Sequence, residues 1–201
     1  MITHLFFDVG GVLGTSGWGT EPRERAVDRF ALDAADFDRR HREVVGAWEE
    51  GRLSLEEYLD CTVFDVPRPF SRADFTAFML AQSRPMPETI ALARDLAAAR
   101  RYRLMTLNNE SAELNAHRLK LFGLAPVFTA FFSSCWLGAT KPSRRIYDLA
   151  LAMAQADPAE SVFIDDREQN LAPARALGMH VVRFTDAATL RRELAALGVA
   201  P

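Results

Sequence analysis

The chain has 201 residues, of which 49% are hydrophobic and 25% charged, and its formal net charge at pH 7 is −3. This is enough for one substantial core with a small appended unit, and a slightly acidic chain without a basic cluster argues against nucleic acid as a partner. The first residues lack a signal-peptide pattern and no apolar run reaches membrane-spanning length, so we expect a cytoplasmic protein with no membrane partner. Cys61 and Cys135 fit neither a disulfide framework nor a zinc motif.

The first predicted element is a strand over Leu5, Phe6 and Phe7 that leads into Asp8 and a glycine turn. An uninterrupted apolar run is typical of a strand buried on both faces, in the centre of a parallel sheet. Ligands bind outside the carboxyl ends of such strands, which would place Asp8 at a site. Asp8 could equally cap the turn, and this segment alone does not decide between the two interpretations.

From about residue 21 to residue 82 the pattern is helical, and we expect helices near 22–31, 36–48, 54–62 and 71–82. We interpret residues 15–85 as a helical cap inserted into a core made of residues 1–14 and 86–201. Trp18, Trp48 and Phe78 could line a pocket under this cap, although aromatic residues at helical spacing more often belong to a core.

After residue 87, helices and strands alternate, which predicts an α/β fold with a parallel sheet between helical layers. The predicted strands lie near 103–107, 127–133, 161–164 and 180–184. The predicted helices lie near 87–101, 111–121, 142–155, 168–177 and 187–197.

The second strand is followed by the polar turn Asn108, Asn109, Glu110 and Ser111. Amide side chains and free backbone N–H groups at a helix start can bind an anion. Taken alone, helix capping without a ligand explains this turn better.

Lys141 precedes Pro142, and proline is well suited to the first position of a helix. This arrangement predicts Lys141 at the mouth of a helix, where its ammonium group could hold a phosphate or a carboxylate.

Asp165 and Asp166 follow the strand predicted over residues 161–164. Adjacent carboxylates at the end of an apolar segment are costly unless a cation or hydrogen-bond donors compensate them. Mg²⁺ prefers oxygen ligands and is often shared between carboxylates and a phosphate, which suits these two residues together with Asp8. One acid could instead cap the helix that begins near Glu168, but three acids at two strand ends exceed what a cap needs.

In this order, Asp8 in FFDVGGVL, the turn LNNES, Lys141 in TKPS and the acid pair in FIDDREQN resemble the haloacid dehalogenase-like (HAD) hydrolase superfamily. The resemblance covers essentially the whole chain and points to the subfamily with an α-helical cap after the first motif. It implies a Rossmann-like core with a five-stranded parallel sheet in the order 5-4-1-2-3, plus a small all-helical cap.

The resemblance also implies roles for individual residues. Asp8 would be the nucleophile, with Lys141 as the second catalytic residue. The phosphoryl group would contact Asn108, Asn109 and Lys141. The metal Mg²⁺ would be held by Asp8, the backbone carbonyl of Gly10, Asp165 and Asp166, supported from behind by Asn170.

Two positions depart from the pattern of the superfamily. Gly10 stands where most of its phosphatases carry a second Asp that acts as general acid and base, and Asn108 stands where Ser or Thr is usual. A positioned general acid is worth roughly 10²- to 10⁴-fold in rate. We therefore expect a preference for phosphate esters with acidic leaving groups, and we regard His41 and Glu110 as the first candidates for a substitute proton donor.

The sequence thus predicts a Mg²⁺-dependent phosphatase that acts on a small phosphorylated metabolite through a phospho-aspartate, as a monomer or homodimer. One alternative is a 2-haloacid dehalogenase, which would use the same nucleophile without Mg²⁺. The other is a catalytically impaired phosphate-binding protein, for which Gly10 is the best argument.

Overall fold

The computed structural model describes residues 1–201. The strands are β1 (His4–Phe7), β2 (Arg103–Asn108), β3 (Ala130–Ser133), β4 (Ser161–Asp165) and β5 (His180–Arg183). The helices are α1 (Thr20–Phe30), α2 (Ala34–Glu49), α3 (Leu55–Thr62), α4 (Arg72–Ala81), α5 (Pro87–Ala98), α6 (Ala112–Leu121), α7 (Ser134–Leu137), α8 (Arg144–Ala154), α9 (Glu168–Ala176) and α10 (Ala187–Ala196). None of these helices combines the length and the apolar character that crossing a membrane requires.

The five strands form one parallel sheet in the order β3-β2-β1-β4-β5, which confirms the predicted α/β class and strand order. Strand β1 is central, and Phe7 lies opposite Thr106 of β2 and Ile164 of β4. Successive side chains of a strand point to opposite faces, so Leu5 and Phe7 pack in the core beneath α5 and α10, whereas Phe6 packs in the core beneath α8 and α9. The uninterrupted apolar run of β1 follows from burial on both faces.

Helices α1 to α4 fill the segment between β1 and α5, as predicted, and pack around a largely aromatic core that also includes Leu114 of α6. Within it Trp48 stacks on Tyr58 at 4.0 Å between ring centroids, and the Trp18 indole N–H donates to the Tyr58 hydroxyl at 2.9 Å. Capping boxes at Ser54 and Ser71 satisfy the first N–H groups of α3 and α4. The division into a core and a cap at residues 15 and 85 remains a prediction.

The segment between β2 and the end of α7 differs from the prediction in two places. Strand β3 begins at Ala130, because Val127 and Phe128 lie in the preceding turn, where their backbone N–H groups donate to the carbonyl of Leu124. The unpredicted helix α7 follows β3 directly.

The expectation that Pro142 occupies the first position of a helix is wrong. The N–H of Ser143 donates to the carbonyl of Thr140, which closes a turn through Lys141 and Pro142, and α8 begins only at Arg144. The Lys141–Pro142 peptide bond is cis. Lys141 is therefore carried by this turn and not by the first turn of a helix.

Candidate active site

The candidate active site lies at the carboxyl edge of the sheet, where β1, β2 and β4 end side by side. Asp8 follows β1, Asn109 follows β2, and Asp165 is the last residue of β4. Because parallel strands end at the same edge, residues far apart in sequence meet there. A cavity of about 340 Å³ opens over this edge, and the helical insert forms its opposite wall.

Lys141 joins two of the acids. Its Nζ lies 3.0 Å from Asp8 Oδ1 and 2.7 Å from Asp165 Oδ2, and the Lys141 side chain is only 1% exposed. Burial lowers the pKa of this ammonium, but the two carboxylates outweigh burial and the pKa lies above its usual range. Lys141 is therefore a permanent cation that both acids share.

Asn109 fixes the backbone of Lys141 from both sides. Its Oδ1 accepts from the Lys141 N–H at 2.8 Å, and its Nδ2 donates to the Lys141 carbonyl at 2.9 Å. Asn109 lines the cavity, as expected. Its side-chain amide, however, already holds the turn that carries Lys141.

Asp8 is buried, and only one of its two carboxylate oxygens contacts other protein groups. Its Oδ1 accepts from the Val9 N–H at 2.7 Å in addition to Lys141. Burial raises the pKa of Asp8 to about 7, although Lys141 opposes this shift. Because both contacts use Oδ1, the second carboxylate oxygen is available for chemistry in the cavity.

The two adjacent acids after β4 have different surroundings. Asp165 is fully buried: Lys141 and the Asn170 amide donate to its Oδ2, and the Arg167 N–H and the same amide donate to its Oδ1. Asp166 instead has a buried Oδ1 without any hydrogen-bond partner. Burial, and after it the charge of Asp165, raises the pKa of Asp166. Asp165 is thus satisfied by protein groups, whereas Asp166 lacks a partner.

These residues fit a divalent cation. Asp8, Asp165 and Asp166 each offer a carboxylate oxygen, and the three atoms lie within 4.8 Å of one another. An all-oxygen set with an unpartnered buried oxygen suits Mg²⁺. Glycine at position 11 lets the Asp166 carboxylate pack closely against the backbone after β1. Gly11 has a φ of +82°, and a Cβ there would lie 2.6 Å from Asp166 Oδ2.

The structure brings most of the predicted site residues together. Asp8, Gly10, Asn109, Lys141 and Asn170 line the cavity, and Asp165 lies directly behind Lys141. Asp166 is not among the lining residues, but one of its carboxylate oxygens lies within 4.8 Å of oxygens of Asp8 and Asp165. Asn108 is held elsewhere.

The buried side chain of Asn108 donates to Asn115 Oδ1 at 3.1 Å and accepts from the Ser133 hydroxyl at 3.0 Å. It is held between β2, β3 and α6 and does not line the cavity, and its expected contact with a phosphoryl group remains a prediction.

The opposite wall of the cavity comes largely from the insert. Trp18 and Trp48 line it and also belong to the buried core of the insert, so both interpretations hold for them. Phe78 packs against that core, edge-on to Phe30 at 5.4 Å, and does not line the cavity. His41 reaches the cavity but its Nδ1 lies 2.9 Å from the Tyr58 hydroxyl, and burial lowers its pKa to about 4. His41 is therefore neutral near pH 7.

Glu110, the other expected proton donor, is committed to a buried ion pair. Its Oε2 accepts from Arg118 Nη1 at 2.8 Å, and its Oε1 accepts from the Ser111 N–H at 3.1 Å. Both side chains line the cavity wall.

Glu49 is a cavity residue that sequence reasoning missed. It is the last residue of α2, and its carboxyl takes part in no hydrogen bond or ion pair. Burial raises the pKa of Glu49 to about 7. In the sequence it is one of several acids on a polar helix, and only the packing of α2 against the site distinguishes it.

The sequence profile of the family described as haloacid dehalogenase-like hydrolase matches residues 2–178. The chain belongs to the haloacid dehalogenase-like hydrolases. The four motifs on which the resemblance was based are those that meet at the cavity.

Among curated proteins, this HAD hydrolase is similar to bifunctional epoxide hydrolase 2 of Sus scrofa, with 37% identity over 86 residues. That match covers 43% of this chain and 16% of the pig protein, so the chain spans only a small part of that relative. It is also similar along 96% of its length to D-ribitol-5-phosphate phosphatase of Bacteroides thetaiotaomicron, with 24% identity over 97% of that protein.

Solved structures share the fold. A predicted HAD-like family hydrolase from Porphyromonas gingivalis has a TM-score of 0.77 at 24% identity, with complete coverage of both chains. A HAD family enzyme from B. thetaiotaomicron in complex with magnesium and inorganic phosphate has a TM-score of 0.71 at 21% identity, covering 92% of this chain and 95% of that one.

In this HAD hydrolase, position 10 has no side chain, but a Cβ could be accommodated there. A Cβ on Gly10 would lie 3.6 Å from Ser16 Cα and 3.7 Å from Arg118 Nη1, which are ordinary contact distances. The backbone of Gly10 is not among the positive-φ glycines. Neither space nor backbone conformation therefore requires glycine here.

Proposed function

We propose that this protein is a Mg²⁺-dependent phosphatase that cleaves a small phosphorylated metabolite through a phospho-aspartate intermediate on Asp8. The observation that carries the proposal is the placement of Lys141 between Asp8 and Asp165, next to the unpartnered oxygen of Asp166. This arrangement pairs a nucleophilic carboxylate with a cation and leaves oxygen ligands free beside it.

The metal would be held by Asp8, Asp166 and the backbone carbonyl of Gly10. Asp165 would support the site from behind, because protein donors already engage both of its oxygens. When bound, Mg²⁺ supplies positive charge that neutralises the phosphoryl oxygens.

The residues of the chain provide the remaining chemistry. Lys141 and the Val9 N–H hold Oδ1 of Asp8, so its other oxygen attacks the phosphorus while the bond to the leaving oxygen breaks. Lys141, locked in place by Asn109, balances the charge of the phosphoryl group and of both acids. Water then attacks the phosphorus of the acyl phosphate and releases Asp8 as a carboxylate.

The cavity supports a small, polar substrate. Its volume of about 340 Å³ lies at the lower end of the range for ligand pockets, and only three of its 18 lining residues are hydrophobic. Arg23 and Arg167 add positive charge to its wall. A phosphorylated polyol or sugar suits these properties, and the similarity to a D-ribitol-5-phosphate phosphatase points in the same direction.

The test is phosphate release from a panel of sugar, polyol, acyl and aryl phosphates, with Mg²⁺ and with EDTA, by the wild type and by Asp8→Asn. The exposed Asp148→Asn, whose side chain pairs only with Arg144, is the matched control. We expect Mg²⁺-dependent turnover by the wild type and the control and none by Asp8→Asn. Equal phosphate release by the wild type and Asp8→Asn would exclude Asp8 as the nucleophile.

The same samples distinguish the alternatives. Halide release from 2-chloropropionate in the presence of EDTA would identify a dehalogenase. Thermal stabilisation by phosphate without turnover of any ester would identify an impaired phosphate-binding protein.

A further inference from the structure

We propose that Glu49, at the end of α2, is the general acid and base that serves the reaction in place of the carboxylate missing at Gly10. This inference rests on the proposed phosphatase function and adds a residue that none of the recognised motifs contains. It requires that Glu49 be held at the cavity, that its carboxyl be free to exchange a proton, and that no other group be better placed.

The backbone holds Glu49 at the cavity. Its carbonyl accepts from the Ser134 hydroxyl at 2.6 Å, and the same hydroxyl oxygen accepts from the Glu110 N–H at 3.0 Å. One side chain of α7 thus ties the end of α2 to the turn after β2. Gly51 has a φ of +71°, and a Cβ there would overlap the carbonyl of Cys135, so the next turn also lies directly against this edge of the core.

The carboxyl of Glu49 faces groups of both signs. Glu110 raises its pKa, whereas Arg167, Lys141 and Arg23 lower it, and the dominant effect is burial. The resulting pKa of about 7 populates both protonation states at neutral pH, as a group that must give and then take a proton requires. No hydrogen bond or ion pair competes for this carboxyl.

The other candidates are less suitable. His41 is neutral and hydrogen-bonded to Tyr58, and its pKa of about 4 leaves it without a proton to donate near pH 7. Burial raises the pKa of Glu110 too, but its Oε2 accepts from Arg118 and its Oε1 accepts from the Ser111 N–H, so both of its oxygens are engaged. Among the acids that line the cavity, Glu49 is therefore the one with an uncommitted carboxyl.

The proposed steps balance in protons and bonds. Asp8 attacks the phosphorus, the ester P–O bond breaks, and protonated Glu49 gives its proton to the departing alkoxide. Carboxylate Glu49 then takes a proton from the water that attacks the phosphorus of phospho-Asp8. The bond between phosphorus and Asp8 breaks, Asp8 leaves as a carboxylate, and Glu49 is protonated again.

This assignment changes the expectation drawn from Gly10. A site without a general acid favours esters with acidic leaving groups. With Glu49 as the proton donor, alkyl phosphates, whose leaving groups need a proton, become competent substrates.

The experiment compares the wild type, Glu49→Gln and the neighbouring control Glu50→Gln, whose side chain pairs with Arg52 and does not line the cavity. The substrates are D-ribitol 5-phosphate, an alkyl ester, and 4-nitrophenyl phosphate, whose leaving group needs no proton. We expect Glu49→Gln to lower kcat on the alkyl ester by about 10²- to 10⁴-fold. We expect a much smaller loss on the aryl ester and wild-type behaviour of Glu50→Gln. In the pH profile on the alkyl ester, Glu49→Gln should lose the limb in which activity falls as the proton donor ionises, and should keep the limb in which Asp8 becomes protonated.

A second variant guards against a purely structural effect. Gly10→Asp in the Glu49→Gln background adds a carboxyl at a position where a Cβ meets only ordinary contact distances. We expect this second substitution to raise the activity on the alkyl ester at least about tenfold above that of Glu49→Gln. Unchanged kcat of Glu49→Gln, or an equal loss on both esters with an unaltered pH profile, would overturn the assignment. Absence of turnover by the wild type on every ester would instead overturn the phosphatase function itself, so the two failures are distinguishable.

Discussion

Lys141 Nζ lies 3.0 Å from Oδ1 of Asp8, with the Lys141 side chain 1% and the Asp8 side chain 10% exposed. The same ammonium lies 2.7 Å from Asp165. Two buried carboxylates thus depend on one cation. Removing one partner of a buried ion pair leaves the other charge uncompensated, which is far more costly than the net value of the pair.

Lys141→Met should therefore destabilise the protein by roughly 3–5 kcal/mol at pH 7.5 and lower phosphatase activity by about 10²-fold or more. The loss of stability should shrink at pH 5.5, because Asp8 is then protonated in the wild type as well as in the variant and no longer needs the ammonium as a counter-charge. Urea unfolding at both pH values measures this. Lys120→Met, at an exposed position, should change stability by less than about 0.5 kcal/mol; a Lys141→Met protein as stable as this control would contradict the argument.

Asp166 has a buried oxygen without a partner, and Asp165 does not. In the wild type, millimolar Mg²⁺ should raise the melting temperature by several degrees, because a ligand that binds only the folded state stabilises it. Asp166→Asn should lose this rise while keeping its fold, and Asp148→Asn should keep the rise. A full Mg²⁺-induced shift in Asp166→Asn, measured by differential scanning fluorimetry, would rule out direct ligation by this residue.

Gly11 and Gly138 offer a matched pair of substitutions. Both have positive φ values, +82° and +61°, but a Cβ on Gly11 would collide with the Asp166 carboxylate, whereas a Cβ on Gly138 would meet nothing within 4 Å. Each alanine variant should lose about 1 kcal/mol of stability to backbone strain. Only Gly11→Ala should also weaken Mg²⁺ activation, by about 10- to 100-fold in apparent affinity. Equal Mg²⁺ titration curves for the two variants would show that the collision is relieved without displacing Asp166.

Burial, followed by the charge of Arg23, lowers the pKa of His41 from 6.5 to about 4. As the pH falls below 6.5, His41 of the unfolded chain binds a proton that the folded protein does not bind. The contribution of His41 to the free energy of unfolding is therefore complete above pH 6.5 and is lost as the pH falls toward 4. The expected loss at pH 4.5 is roughly 2 kcal/mol.

Urea unfolding at pH 7.5 and pH 4.5 gives the change in the free energy of unfolding between the two pH values, which is compared between the wild type and each variant. Between these two pH values the stability of His41→Gln should fall by roughly 2 kcal/mol less than that of the wild type, whereas His180→Gln, at an exposed position, should follow the wild type. An identical pH dependence of the wild type and His41→Gln would mean that His41 is protonated in the folded protein.

The fold was predictable because its signals are local. The apolar run before Asp8 and the one before Asp165 indicate strands buried on both faces, and parallel strands bring their carboxyl ends to one edge whatever their separation in sequence. The sequence erred where tertiary contacts override local preference, as before Pro142, where the side chain of Asn109 binds the backbone N–H and carbonyl of Lys141 and a turn takes the place of the predicted helix start.

By itself, the sequence determined the α/β class, the order of its motifs and the family, and therefore which acids and which lysine would meet. Only the tertiary structure decided how individual side chains are used. Asn108 is held by Asn115 and Ser133. Both carboxylate oxygens of Asp165 accept hydrogen bonds, whereas the buried Oδ1 of Asp166 accepts none. It also decided that Glu49 reaches the cavity. The physical reason is that strand ends follow from periodicity along the chain, whereas the direction, burial and partners of a side chain depend on elements packed against it from distant parts of the sequence.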